Sequence, residues 1–183
     1  MTALPAPPAL RLATLDDEAA IDALMKASTR ALFPAFYDAA QTESSAEHIA
    51  SVDRMLIEDR TYYVAEVEGE LVACGGWSLR DKLYTGSGAT SGDVRLLDPA
   101  TEPARVRAMF VRADWTRRGL GTAILAACEA AARAKGFRTL ALMATLPGVP
   151  LYQHYGFRVG EHEDVTMPDG VAVSCAAMEK PIN

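Results

Sequence analysis

The chain has 183 residues, half of them hydrophobic, and a formal net charge of −6. That length suits one compact domain with a full core, and the acidic balance argues against a general nucleic-acid or anionic-membrane surface. The three cysteines, Cys74, Cys128 and Cys175, have no metal-ligand spacing and are odd in number. They read as reduced core thiols of a cytoplasmic protein, and no metal is expected.

Residues 1–8 (MTALPAPP) lack the basic and apolar regions of a signal peptide and read as a flexible arm, leaving 9–183 as a single domain. No apolar run reaches the length of a membrane span. Ala9 to Ala13 alternates as a first strand. Thr14 to Asp17 matches a capping box, followed by a helix with Ile21, Leu24, Met25 and Ser28 on one face. Ala31 to Tyr37 is broken by Pro34 and carries Phe33, Phe36 and Tyr37. Ser44-x-x-Glu47 is a second capping box, predicting a helix with Ile49, Val52 and Leu56 inside. Thr61 to Val67 and Leu71 to Leu79 form a hairpin around Glu68-Gly69-Glu70. Residues 85–103 are rich in Gly, Ser, Thr, Asp and Pro, the composition of a functional or disordered loop. Gly86-x-Gly88 within them is no dinucleotide fingerprint, since no helix follows.

The most informative stretch is Met109 to Thr122. A β-prone run ending at Val111 passes through Arg117-Arg118-Gly119-Leu120-Gly121 into an alanine-rich helix that closes at Lys135-Gly136. Free amides, the helix dipole and two arginines converge there, which suits a phosphate or pyrophosphate. The same residues also suit a plain turn with solvated arginines. Arg138 to Met143 is a further strand, Pro147 to Pro150 a turn, and Leu151 to Tyr155 a short helix ending at Gly156. Phe157 to Thr166 and Val171 to Glu179 make a last hairpin across Pro168-Asp169-Gly170. The order β-α-α-β-β-β-α-β-α-β-β implies a mixed, mostly antiparallel sheet of about seven strands, with helices on both faces and one local parallel pair.

This order and two motifs resemble the GNAT superfamily of acetyl-CoA-dependent N-acetyltransferases, over roughly residues 9–180. The family's Q/R-x-x-G-x-G/A falls on Thr116-Arg117-Arg118-Gly119-Leu120-Gly121, with threonine at the first position. Its aromatic or aliphatic residue followed by Y-x-x-x-G-F falls on Leu151-Tyr152-Gln153-His154-Tyr155-Gly156-Phe157. The resemblance implies an α/β fold splayed at the central parallel strand pair, with acetyl-CoA as cosubstrate. The pyrophosphate is then expected on the amides of Arg117, Arg118, Gly119, Leu120, Gly121 and Thr122, and pantetheine at Val111. The resemblance also implies Met109 as backbone oxyanion donor and Tyr152 as general acid toward the CoA thiolate. Ladder residues and a packing tyrosine are the plain alternatives.

Many relatives hold a glutamate on the central strand. Stepping back by twos from Val111 gives Met109, Arg107 and Arg105 instead. The base then lies elsewhere (Glu66, Asp93 or Glu102), or water takes the proton, or the amine arrives neutral. Arg107 and Arg105 suit a substrate carboxylate or a neighbouring acid. Phe33 and Tyr37 suit an acceptor wall or the core. His48, His154 and His162 read as surface residues. The expected activity is acetyl transfer to a primary amine of a small molecule. The alternatives are a peptide N-terminal or lysine acetyltransferase and a non-catalytic acyl-CoA sensor. The resemblance also allows a homodimer.

Overall fold

The computed structural model describes residues 6–83 and 94–183. Most of the expected N-terminal arm, and the loop expectations on residues 84–93 (including Asp93 as a base), lie outside the described residues. The strands are β1 (Ala9–Leu12), β2 (Tyr62–Val67), β3 (Glu70–Ser78), β4 (Ala104–Val111), β5 (Thr139–Thr145), β6 (Arg158–Thr166) and β7 (Ala172–Pro181). They form one seven-stranded sheet in the order β1-β2-β3-β4-β5-β7-β6. Among the described residues only the β4–β5 pair is parallel; the other strand pairs are antiparallel.

Helix α1 (Glu18–Leu32) follows a 3₁₀ turn anchored where the Thr14 amide donates to the Asp17 carboxylate at 2.8 Å. Its inner residues are Ile21, Leu24, Met25 and Ser28, as the periodicity predicts. The expected cap at Ser44 is not where the next helix begins. Helix α2 (Ala39–His48) starts at Asp38, whose carboxylate accepts from the Gln41 amide at 2.8 Å while the Gln41 side chain accepts from the Asp38 amide at 3.0 Å. Glutamine serves the reciprocal cap as well as glutamate. Ser44 lies inside the helix, bonded to Asp169, and a separate short helix α3 (Arg54–Glu58) carries Leu56.

The β2–β3 turn places both Glu68 (φ 50°) and Gly69 (φ 83°) in the left-handed region, the geometry a two-residue hairpin demands. Helix α4 (Leu120–Ala134) begins two residues before the expected start, at the left-handed Gly119, and α5 (Val149–Tyr155) precedes the last hairpin. Three apolar clusters form among the described residues: a small one joins Phe33 and Tyr37 to Val165, Val173 and Cys175, and two larger ones fill the two faces of the sheet. One is built around Trp77, Ile124, Leu125, Leu140 and Met178 beneath α4 and α5. The other is built around Ile21, Met25, Leu56, Tyr62 and Phe110 beneath α1 and α3. No helix of the described residues is long and apolar enough to cross a membrane.

Candidate active site

The parallel pair holds together only at its start. Register exists at Ala104↔Leu140 and Arg105↔Ala141 and goes no further. Beyond that point β4 stays with β3 as far as Ala73↔Val111, while β5 stays with β7 as far as Thr145↔Cys175. The strands thus diverge, and a cleft of about 730 Å³ opens between Val106–Val111 on one side and Leu142, Met143 and Thr145 on the other. Backbone groups along a strand alternate in direction. The Arg112 amide donates to the Val72 carbonyl of β3 at 2.9 Å, so the amides of Val111 and Met109 face away from β3, toward the cleft.

Stepping back by twos from Val111 fails one residue before Met109. Cys74 pairs with Phe110 and Gly76 with Arg107, so Ala108 and Met109 together oppose the single residue Gly75. This β-bulge, with Ala108 at φ 51°, shifts the alternation by one. Val106 and Met109 therefore belong to the α4 face, and Arg107 joins Tyr62 and Phe110 on the α1 face.

The chain leaves β4 through a 3₁₀ turn at Ala113–Trp115 and then places Arg117 (φ 60°) and Gly119 (φ 81°) in the left-handed region. No side chain caps α4, so its first amides open onto the cleft. Trp115, Thr116, Arg117 and Gly119 to Thr122 all line it. This is a ready anion cradle at the end of the splay. Arg118 does not line the cleft: its guanidinium stacks 4.4 Å from the Trp115 ring centroid. Gly121 has a separate reason to be glycine, since a Cβ there would sit 2.6 Å from a methyl of Leu151 on α5. The glycine lets α5 approach α4.

That approach brings Tyr152 to the cleft wall. The ring meets Phe157 edge-on at 5.7 Å, is 8 % exposed, and has no hydrogen-bond partner for its hydroxyl among the described residues. Burial pushes the phenol well above its usual range, so it holds its proton at any physiological pH.

The far end of the cleft is walled by Ser28 and Leu32 of α1, Phe33, Ile49 and Leu83. The Ser28 hydroxyl donates to the Val111 carbonyl at 2.7 Å. Arg107, 3 % exposed, lines this end and donates to Asp53 at 3.1 Å, and Lys82 lies 3.1 Å from the same carboxylate. Against the burial that would raise it, Arg107 and Lys82 hold the Asp53 carboxyl below its usual value. Arg105 pairs with Asp81 at 3.2 Å. Tyr37 stands behind the cleft wall. Its hydroxyl donates to the Ser174 carbonyl at 2.7 Å and accepts from the Leu146 amide at 2.8 Å.

Of the candidate bases, Glu66 bonds Arg11 at 2.7 Å and Glu102 bonds Arg95 at 2.7 Å, and neither lines the cleft. His154 lines its rim, while His48 sits 3.6 Å from Asp169. The cysteines are buried, and among the described residues no cluster of acids, histidines or cysteines could hold a metal. The sequence reading passed over Gly75-Gly76, though paired glycines inside a strand are a recognised signal of a bulge. It also missed the Trp115 contact and the Asp53–Lys82 pair.

The model of the acetyltransferase (GNAT) family matches residues 21–157. A GCN5-related N-acetyltransferase from Rhodopseudomonas palustris superposes with a TM-score of 0.72 at 20% identity, covering 99% of each chain. The PaiA N-acetyltransferase of Thermoplasma acidophilum, solved with coenzyme A, gives 0.67 at 16% identity, covering 96% of this chain and 99% of that one. YncA of Salmonella typhimurium, solved with its cofactor acetyl-CoA, gives 0.62 at 15%, covering 97% and 95%. No curated protein sequence matches the chain at a significant level.

Proposed function

The chain belongs to the acetyltransferase (GNAT) family, and on that premise we propose that it moves an acetyl group from acetyl-CoA to the primary amine of a small molecule. The observation that carries this reading is the β4–β5 splay ending at the uncapped N-terminus of α4. A CoA ester laid along it would rest its pyrophosphate on the amides of Arg117 to Thr122. Its pantetheine would lie beside Val111 and its thioester beside Met109. Charge-assisted hydrogen bonds contribute about 1.5–3 kcal/mol each, so several amides anchor the cofactor without a dedicated side chain. Arg117 lines the cradle and adds charge; Arg118 supports it through Trp115.

The chemistry follows from the groups at the centre. The neutral amine attacks the thioester carbonyl carbon, and the C–N bond forms as the carbonyl electrons move to oxygen. The Met109 amide, facing the cleft, stabilises that oxyanion. The intermediate collapses, the C–S bond breaks, and Tyr152 gives its proton to the departing thiolate and takes one back from water, which restores the neutral phenol. In this reading the proton lost by the amine goes to water, the described lining holding no carboxylate and a histidine, His154, only at its rim.

A small acceptor is supported by the walls at the far end, Leu32, Phe33 and Ile49, which leave an apolar recess. Arg107 lines this end, and in this reading it would take an acceptor carboxylate in exchange for Asp53, its partner at 3.1 Å. It would favour a carboxylate-bearing amine, so Arg107→Ala should raise KM for such amines more than for neutral ones. Unchanged KM for every accepted amine would remove Arg107 from the acceptor site. Mass-spectrometric analysis of acetylation across simple amines, amino acids, N-terminal peptides and lysine peptides tests the whole assignment. Acetylation of small amines is expected. Products on peptides alone would transfer the assignment to the peptide class, and cofactor binding without any product would point to a sensor.

A further inference from the structure

Strands β2 and β4 are not neighbours, because β3 runs between them, yet Tyr62 of β2 reaches β4. Its phenol donates to the Ala108 carbonyl at 2.7 Å. The register explains how. Tyr62 sits across from Gly76, and Gly76 across from Arg107. A Cβ at Gly76 would lie 2.7 Å from the Tyr62 ring and against the Thr61 carbonyl. Glycine leaves β3 bare there, and the ring lies over it. On the opposite face Gly75 does the same for Met109, whose sulfur would be 2.6 Å from a Cβ at that position. The two consecutive glycines therefore clear both faces of the sheet at the bulge.

The Ala108 carbonyl and the Met109 N–H belong to one peptide group, and that group is planar and trans. Its oxygen and its hydrogen point in opposite directions. Fixing the oxygen back over β3 toward Tyr62 fixes the N–H away from β3, on the side where the cleft lies. We propose that Tyr62 is a positioning residue for acetyl transfer: it pins the bulge peptide and so aims the Met109 amide at the thioester oxygen. The proposal rests on the acetyl-transfer reading above and deepens it. Alanine at φ 51° is a backbone state that alanine seldom takes unaided, so the bulge depends on an outside hold. Tyr62 is 2 % exposed and burial keeps its phenol protonated, so the donor is always present. Donation to the carbonyl also polarises the peptide and strengthens its N–H as a donor.

The test is Tyr62→Phe, which removes one oxygen. The expected result is a fall in kcat of tenfold or more, since loss of a whole oxyanion donor costs about 10²–10³. Acetyl-CoA affinity should stay within twofold. Adding Ala108→Gly, which tolerates positive φ without help, should restore at least a third of the lost rate. The ¹H–¹⁵N resonance of Met109 gives a readout independent of turnover. It should move on adding acetyl-CoA to the wild type, and this response should be lost in Tyr62→Phe. Should that variant not fold, Ala108→Val, whose branched side chain resists φ above zero, should abolish the same response. Retention of the wild-type kcat or of the Met109 response in these variants would overturn the proposal. A wild type that acetylates no amine would sink the acetyl-transfer reading alone, because the Met109 response would still decide the role of Tyr62.

Discussion

Two glycines with nearly the same φ allow the anion cradle to be tested apart from stability. Gly119, at φ 81°, opens α4, and Gly170, at φ 85°, sits in the β6–β7 turn. A Cβ at either position meets nothing within 4 Å, so alanine adds no clash, only the left-handed strain of about 1–2 kcal/mol. If each loop keeps its shape, both variants lose that amount. For a chain of this size the loss corresponds to a fall in Tm of roughly 2–8 °C. At Gly119 the strain has a second outlet. The turn can relax toward negative φ, which swings the first amides of α4 away from the cleft. Losing one charge-assisted contact of about 1.5–3 kcal/mol weakens acetyl-CoA binding by roughly 10- to 150-fold. Calorimetric titration of acetyl-CoA into both variants, with Tm measured alongside, separates the effects. Gly170→Ala should lower Tm and leave Kd unchanged. Gly119→Ala should raise Kd at least tenfold, and equal Kd values for the two variants would refute the placement of the pyrophosphate at this helix end.

Tyr152→Phe should lower kcat by roughly 10- to 100-fold while acetyl-CoA affinity stays within about twofold, as measured by thiol release and calorimetry; unchanged kcat would leave the ring a packing residue. Tyr37→Phe strips the partner from the Leu146 amide and the Ser174 carbonyl, so it should cost about 1–3 kcal/mol, read as a fall in Tm of roughly 2–12 °C. In acid, the Arg11 guanidinium, with the Thr14 amide, holds the Asp17 carboxyl down to about 2 in the folded chain. The unfolded value is about 3.9, so this stabilisation is full above that pH and lost as pH falls toward 2. Asp17→Asn should flatten denaturant-midpoint curves across that window, and an unaltered acid limb would contradict the pairing.

The parts of this molecule that repeat a local rule were legible in its sequence. The Gly119-x-Gly121 turn, the helix behind it, the hairpins and the short helix that carries Tyr152 each have their signal within a few residues, and the mixed sheet with one parallel pair followed from their succession, though not the insertion of β7 between β5 and β6. The bulge left only a partial trace: Gly75-Gly76 marks it on the facing strand, but Ala108 announces no positive φ, and the phenol that bonds its carbonyl lies on Tyr62, two strands and 46 residues away. That one hidden residue moved Arg107 and Arg105 to the other face, where Asp53 and Asp81 meet them. The cap of α2 was misplaced for a related reason. Ser44 fits the local pattern, but its hydroxyl is used by Asp169 across the fold, while Asp38 and Gln41 close the helix.

The central claim is that the splay holds acetyl-CoA and presents it for transfer. It is tested most directly by titrating acetyl-CoA calorimetrically and following free CoA thiol on the same sample as amines are added. The account predicts one site per chain and thiol release that depends on the amine. Absence of binding would contradict it, since the uncapped start of α4 and the parted strands would then serve some other end.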